Sequence, residues 1–241
     1  MPGPDDDLER LFRLEYSPDA PAPAALDTWS TPRHSPADVA TETAPAGATA
    51  AAQLARSREL HGGWRWTPEQ KSLRALVKAQ QRVGFQLDQL THIGARVLHA
   101  RRAPSSAQPV DHIVVGARGV FIIVDVLSTP IQPVAWHAAG HLSAAGISMR
   151  LFEESMVQLA RDGIGATEHR LGERWRIPVE LVLIVVDAPT CAPGTTQAGA
   201  TVGQPAAVKQ VVTGPFTPAL FDATDIAVIA DAVARVFPSA A

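Results

Sequence analysis

The sequence predicts an α/β fold in which a central mixed sheet is flanked by helices, with a disordered N-terminal tail. Three longer segments carry apolar residues at helical spacing, and five shorter segments between them are rich in Val, Ile and Phe. Three of the short segments follow one another with brief links, which is typical of an antiparallel meander. The expected order is therefore helix, three strands, helix, two strands, helix.

The composition excludes several classes of protein. The chain has 241 residues, a net charge of −3 and one cysteine, Cys191. This charge excludes a histone-like, wholly basic protein but is compatible with a local basic groove. A lone cysteine excludes an internal disulfide and a cysteine-based zinc cage, and it fits a reducing compartment. No apolar run reaches the roughly 18 residues that a membrane span needs, and the acidic N-terminus is unlike a secretory signal. We therefore expect a cytoplasmic protein with no membrane partner.

Residues 1–59 are predicted to form a disordered tail ahead of a domain at 60–241. Residues 17–56 consist mainly of Ala, Pro, Thr, Ser and Asp, which bury too little apolar surface to offset the chain entropy. Within the tail, 7–16 is an island with apolar residues at helical spacing, and Ala48–Ala55 favours a transient helix. One hypothesis is that this tail recruits a protein partner while the domain serves as a rigid anchor.

The first helix of the domain is predicted from Thr67 to about Thr91. Thr67 is a suitable N-cap, Pro68 suits the first helical position, and Gln70 can complete a capping box. Gly94 follows as a stop signal. We expect the meander strands at 95–99, 110–115 and 120–127, and the last of these is apolar enough to be buried on both faces.

The second half of the domain is predicted to add two helices and two strands to the meander. Gly163 and Gly165 are expected to weaken the join between two helical stretches. The predicted elements are a helix at 147–160 that resumes at 166–171, a strand at 179–186, a loop at 189–205, a short strand at 207–213 and a helix at 222–236.

One string of residues in the meander carries a family resemblance. Asp-His at 111–112 opens a buried strand, a Gly-x-x-Gly turn spans 116–119, and Val-Phe at 120–121 begins the next buried strand. Together with 94–99, this string resembles the nuclease-related domain (NERD), a branch of the PD-(D/E)XK nuclease superfamily. By element order the resemblance covers about 67–237. It implies a restriction-endonuclease-like sandwich and a metal-dependent phosphodiesterase site, where acids hold Mg²⁺ and a lysine stabilises charge.

Most of the groups that the resemblance implies are missing from this chain. Asp111 matches the strand aspartate and is the residue that would bind a metal, but Gln80 stands where the family has a helix glutamate. The acid and the lysine of the third strand fall on Val124 and Val126. Asp125 lies between them, and strand alternation predicts that it points away from Asp111. We therefore expect vestigial catalytic positions, no cofactor and no enzymatic activity.

A divergent metal-dependent nuclease is the main alternative. A β-bulge at 124–125 would turn Asp125 onto the face of Asp111 and Gln80, and these groups would form a weak Mg²⁺ or Mn²⁺ site. If Asp125 instead lies on the other face, its buried charge predicts an Arg or His neighbour. The acids that would assist the metal site are Glu69, Glu153 and Glu154.

Clustered basic residues predict a nucleic-acid-binding surface, although an ordinary solvated helix face would have the same pattern. Trp64 and Trp66 precede the first helix and either stack on bases or anchor the chain to the core. The histidines follow no metal-binding motif, and alternation places His112 on the opposite face from Asp111. The candidate phosphate-binding residues are Lys71, Arg74, Lys78 and Arg82 on the helix and Arg101, Arg102 and Arg118 around the meander. The preferred expectation is a module that binds DNA or a protein partner.

Overall fold

The computed structural model describes residues 44–61, 66–104, 109–188, 191–214 and 219–240. The helices in these ranges are α1 (Ala48–His61), α2 (Pro68–Asp88), α3 (Arg150–Leu171), α4 (Val208–Thr213) and α5 (Ala223–Val236). The strands are β1 (Arg96–Arg102), β2 (Pro109–Gly116), β3 (Gly119–Leu127), β4 (Val134–Trp136), β5 (Leu142–Ala144), β6 (Ile147–Ser148), β7 (Val179–Val186), β8 (Gly194–Thr195) and β9 (Thr201–Gly203).

A six-stranded mixed sheet with the order β1-β2-β3-β7-β9-β8 forms the centre of the fold. The first three strands are an antiparallel meander, and β7 then pairs in parallel with β3 along its whole length, from Val120↔Val179 to Leu127↔Val186. The next strand, β9, is also parallel to β7, while β8 runs antiparallel to β9. The predicted α/β fold with a mixed sheet is thus confirmed.

Helices cover both faces of the sheet, because β3 and β7 are apolar on both sides. On one face, Val83 and Leu87 of α2 pack with Ile123 of β3 and Val182 of β7, and α4 joins the same cluster. On the other face, α3 and α5 pack against alternate residues of the same strands, such as Ile122. The chain therefore builds its core as two apolar layers separated by the sheet.

The start of α2 follows the sequence prediction closely. The Gln70 N–H donates to Thr67 Oγ1 at 3.2 Å, and the Thr67 N–H donates to Gln70 Oε1 at 3.1 Å, which is a complete capping box. The helix ends at Asp88 and continues as a 3₁₀ turn, Gln89–Ile93, before Gly94 adopts a left-handed φ of 89°. The N-cap at Thr67 and the stop at Gly94 therefore lie where the sequence predicts them.

A helix replaces part of the predicted disordered tail. Helix α1 packs on α2, with Ala50 and Ser57 buried, and the Gln70 side chain donates to the Ser57 carbonyl at 3.2 Å. The predicted domain start at residue 60 is therefore wrong, because a small-residue helix can bury its alanine face without large apolar side chains. The rest of the predicted tail, including the island at 7–16, lies outside the described residues, as does Trp64.

Three local predictions in the second half are also wrong. Residues 208–213 form α4 rather than a strand, because Val208 and Val212 lie four residues apart and are both buried on one helical face. Helix α3 begins at Arg150 and runs unbroken through Gly163 and Gly165, while 147–148 belong to a small sheet, β4-β5-β6. The predicted loop at 189–205 contains β8 and β9.

The segment Pro238–Ala240 lies along the outer edge of β1. The Arg102 N–H donates to the Pro238 carbonyl at 2.9 Å, and the Ala240 N–H donates to the Ala100 carbonyl at 2.8 Å. A β-bridge joins Arg101 to Ser239 between these two bonds. Within the described ranges, no helix has the length and apolar character needed to cross a bilayer.

Candidate functional site

Asp111, Gln80 and Asp125 meet between α2 and the meander. The Gln80 side-chain amide, buried on the sheet-facing side of α2, donates to Asp111 Oδ1 at 2.5 Å. The backbone N–H of Asp125 donates to Asp111 Oδ2 at 2.8 Å. Both carboxylate oxygens of Asp111 are therefore held by groups from neighbouring elements, and the three candidate residues form one cluster.

The structure overturns the prediction that Asp125 points away from Asp111. The regular pairing of β2 with β3 ends at His112↔Ile123, so Asp111 lies beyond it and its carboxylate reaches towards α2. Asp125 itself keeps the alternation of β3, since that strand pairs without interruption with β7, and no bulge occurs at 124–125. The departure from alternation is therefore at Asp111, which strand periodicity alone does not predict.

His112 lies on the α2 side as well, against the prediction that it lies opposite Asp111, because it keeps the alternation of β2 with Val114 while Asp111 departs from it. A Cβ at Gly84 of α2 would lie 3.5 Å from His112 Cε1 and 3.4 Å from His99 Cε1, which is van der Waals distance, so both rings lie against this part of the helix. Two consecutive residues of β2, Asp111 and His112, therefore both lie on the side of the sheet that faces α2. A buried charge at Asp125 predicts an Arg or His neighbour, and His112 is that neighbour.

A chain of hydrogen bonds leads from Asp125 to the surface. His112 Nε2 lies 3.0 Å from Asp125 Oδ2, and both side chains are fully buried. The Nδ1 atoms of His112 and His99 lie 2.7 Å apart, and the rings meet edge to face. His99 Nε2 lies 2.9 Å from Asp88 Oδ1, whose side chain is exposed. Four titratable side chains thus connect the core to solvent.

Sequence reasoning missed His99 and Asp88. His99 of β1 lies directly opposite His112 of β2 in the antiparallel register. The signal was available, because a hairpin paired symmetrically about its turn places these two histidines side by side. Asp88 carried no comparable signal, since its contact with His99 depends on how the end of α2 packs over the sheet.

Burial and mutual charge shift the pKa values within this cluster. Burial, reinforced by the neighbouring Asp125, raises the pKa of Asp111 to about 7, although His112 and the Asp125 N–H act in the opposite direction. Burial by itself would lower the pKa of His112, but the carboxylates of Asp125, Asp111 and Asp88 together outweigh it and the pKa is raised. Burial and the neighbouring His112 lower the pKa of His99, with Asp88 opposing them.

These shifts define one consistent arrangement of protons. A protonated His112 donates through Nε2 to Asp125 and through Nδ1 to the neutral His99, and His99 donates through Nε2 to Asp88. Every ring nitrogen then has a partner. The cluster is an ionic network in which the histidine charge offsets the buried carboxylates.

The cluster does not fit the metal site of an active nuclease. Across the described parts of the chain, no group of three or more His, Cys, Asp and Glu side chains is placed to hold a metal ion. Val124 and Val126, at the acid and lysine positions, are buried in the apolar layer on the α3 side. Two buried acceptors, Gln80 Oε1 and Asp125 Oδ1, have no hydrogen-bond partner among the described residues. One amide and one carboxylate oxygen are too few for Mg²⁺, which prefers several anionic ligands and retains its water.

The three glutamates that were expected to assist a metal do not join this cluster. Glu153 is fully buried elsewhere: its Oε1 accepts the Leu142 N–H at 2.6 Å and its Oε2 lies 3.2 Å from His141 Nδ1. Glu154 pairs with Arg150 at 2.7 Å, one turn away on α3. Glu69 is exposed in the first turn of α2. Glu153 and His141 instead connect α3 to the small sheet.

The basic residues at the start of α2 line an open groove. Trp66, Lys71, Arg74, Ala75 and Lys78 enclose about 330 Å³, and the three cations are exposed. The guanidinium groups of Arg58 and Arg74 lie 4.9 and 5.1 Å from the centre of the Trp66 ring. Cation–π contacts of this kind attract each guanidinium to the indole ring.

The remaining predicted phosphate-binding residues are placed less favourably. Arg101 is buried, its Nε has no partner among the described residues, and burial lowers its pKa. The prediction that it belongs to an exposed phosphate-binding surface is therefore wrong. Arg118 is half-buried and donates to the Val211 carbonyl at 3.4 Å. Arg82 forms a 3.1 Å salt bridge with Asp187. Arg102 is exposed on β1.

No protein-family model matches the chain, and no curated protein or solved structure matches it either. The resemblance to the nuclease-related domain therefore depends on the residues of the meander alone.

Proposed function

We propose that this protein is a nuclease-related module that has lost phosphodiesterase chemistry and binds a nucleic acid through the basic groove at the start of α2. The observation that carries the proposal is the contrast between the two sites. The surviving acids are held in a buried hydrogen-bonded network, whereas Lys71, Arg74 and Lys78 are exposed around a groove.

The loss of chemistry follows from what the Asp111 cluster lacks. Phosphodiester hydrolysis in this superfamily needs a metal to polarise the phosphate and a cation to stabilise the developing charge. Asp111 already accepts two hydrogen bonds, Asp125 is bound to His112, and valines occupy the two other positions. Loss of a single electrostatic stabiliser typically costs about 10²–10³ in rate, and here most of the set is absent.

The choice of ligand follows from the lining of the groove. Three exposed cations within two turns of one helix form a local positive surface on a chain whose net charge is −3. Such a surface favours phosphates, which attract Lys and Arg without regard to base sequence. A nucleic acid is therefore favoured over a protein partner for this groove.

The triple variant K71Q/R74Q/K78Q is expected to weaken binding of a fluorescent 20-mer DNA by about tenfold or more at 50 mM salt, as measured by anisotropy. Removing three phosphate contacts should also make the slope of log K against the logarithm of the salt concentration shallower by about 2–3. The matched control is R161Q/R170Q/R235Q, which removes three exposed cations from helices on the opposite face of the sheet. Equal losses in both variants, or none in either, would contradict the proposal.

A divergent metal-dependent nuclease is a second candidate, and one observation favours it. Gln80 Oε1 and Asp125 Oδ1 are buried acceptors without partners among the described residues, and both flank Asp111. Buried oxygens without hydrogen bonds are costly, and a bound cation would satisfy them.

Calorimetric titration with Mn²⁺ and Mg²⁺ separates the two candidates. We expect no stoichiometric heat, because the cluster offers too few anionic ligands. The matched variant is Asp111→Ala, and the companion assay follows cleavage of single- and double-stranded DNA with Mn²⁺. Stoichiometric binding that disappears in Asp111→Ala, together with cleavage, would establish the nuclease and exclude the non-catalytic module.

A further inference from the structure

A second groove lies where two parallel strands of the sheet end. It encloses about 540 Å³ at the carboxyl ends of β3 and β7. The loops that follow these two strands supply most of its lining. The walls are mainly apolar, with hydroxyl groups and one carboxylate at the rim; they include Leu127, Ser128, Thr129, Pro133, Val134 and Asp187.

This groove adjoins the basic groove through Ala75, which lines both. Lys71, Ala75, Lys78 and Arg82 follow one another at intervals of four, three and four residues, so they form one stripe along α2. The methyl group of Ala75 is the smallest side chain in this stripe. A ligand whose phosphates lie on the basic residues can therefore extend past Ala75 into the second groove.

Asp187, the first residue after β7, is held in a conformation that few residues adopt. Its φ is +61°, in the left-handed region that disfavours most L-residues. The carboxylate lines the groove, and Arg82 of α2 binds its Oδ1 at 3.1 Å. Aspartate is among the few residues that enter this region readily, and the Arg82 salt bridge holds its carboxylate beside an apolar cleft.

We propose that the second groove receives a guanine base of a single-stranded nucleic acid whose phosphates lie along the basic stripe. This inference rests on the proposed function. Guanine presents two adjacent donors, N1–H and N2–H, on its pairing edge, and these match the two oxygens of Asp187. Adenine and cytosine present an acceptor beside their amino group, and thymine presents a single donor between two carbonyls. The apolar walls suit the faces of the base.

The test compares three 11-mer DNA strands that differ only at the central position of oligo-dT: guanine, inosine or thymine. We expect the full chain to bind the guanine strand about tenfold more tightly than the thymine strand, a typical discrimination for a two-bond contact. Inosine lacks the N2 amino group and should be intermediate. In Asp187→Asn the guanine preference should disappear while oligo-dT still binds, with a salt dependence no weaker than that of wild type because Arg82 loses its carboxylate partner. Asparagine tolerates the left-handed backbone.

A second variant, Ala75→Leu, tests the connection between the grooves. Its larger side chain should also abolish the guanine preference, because it would block the path from the basic groove into the second groove. Equal affinity for guanine and thymine strands, or a preference that survives Asp187→Asn, would overturn this inference and leave the proposed function standing. Failure of all three strands to bind would overturn both.

Discussion

Replacing Gly163 by alanine is expected to destabilise the protein by about 1–3 kcal/mol, although alanine is the better helix former. Gly163 lies in the middle of α3, and a Cβ there would be 2.1 Å from Cζ of Phe237. Phe237 is fully buried, and its two Cε atoms would also lie only 2.7 and 3.0 Å from that Cβ, so the whole ring would have to shift. The cost of overpacking should therefore exceed the roughly 1 kcal/mol gained in helix propensity.

Gly165 offers a matched control two residues away on the same helix. It is exposed, and a Cβ there would meet nothing within 4 Å. Gly165→Ala should therefore stabilise the protein by up to about 1 kcal/mol, as measured by urea unfolding. Leucine in place of Phe237 should partly relieve the clash. The double variant G163A/F237L should therefore lose less stability than the sum of the losses in the two single variants. If the two glycine variants shift stability in the same direction, the close contact with Phe237 does not control this position.

Replacing Asp111 by asparagine is expected to raise the free energy of unfolding at pH 8 by about 2–4 kcal/mol. The pKa of Asp111 is about 7 in the folded protein, against 3.8 as the ordinary value. Between these values the folded state binds the proton more tightly than the unfolded state, so stability falls as the pH rises from about 4 to 7. Asparagine carries no charge, and its amide can donate to Gln80 Oε1, which lacks a partner among the described residues.

The measurement is urea unfolding of wild type and Asp111→Asn at several pH values from 4.5 to 8. The gain from the substitution should be small at the acidic end and grow towards pH 8. Asp231→Asn, at an exposed position on α5, should show no such trend. A gain that is constant across this range would mean that the carboxyl group does not titrate between the two states as proposed.

The elements that could be predicted from sequence are those whose signals are local. The capping box at Thr67, the stop at Gly94 and the apolar runs of β2, β3 and β7 depend on neighbouring residues, and each lies where it was expected. The small sheet β4–β6 could not be anticipated, because strands of two or three residues carry no measurable periodicity. The valine-rich composition of 208–213 favoured a strand, but the segment is a helix, because Val208 and Val212 pack together against the cluster that includes α2.

The candidate site was predicted in its membership but not in its geometry. Asp111, Gln80 and Asp125 were identified by resemblance, and the structure brings them together. Strand alternation predicted that Asp125 and Asp111 lie on opposite faces, because it assumes regular pairing. In the structure the pairing of β2 with β3 stops one residue short of Asp111. Long-range partners such as Asp88 depend on the packing of α2 over the sheet, and spacing along the chain carries no information about that.

The segment Pro238–Ala240 has a consequence for behaviour in concentrated solution. Strand β1 is the outermost strand on its side of the sheet, and a free strand edge is a template for intermolecular pairing and aggregation. The segment occupies the backbone groups of Ala100 and Arg102 at that edge. It thus acts as a short guard strand, because these backbone groups are no longer available for pairing with a second copy of the chain.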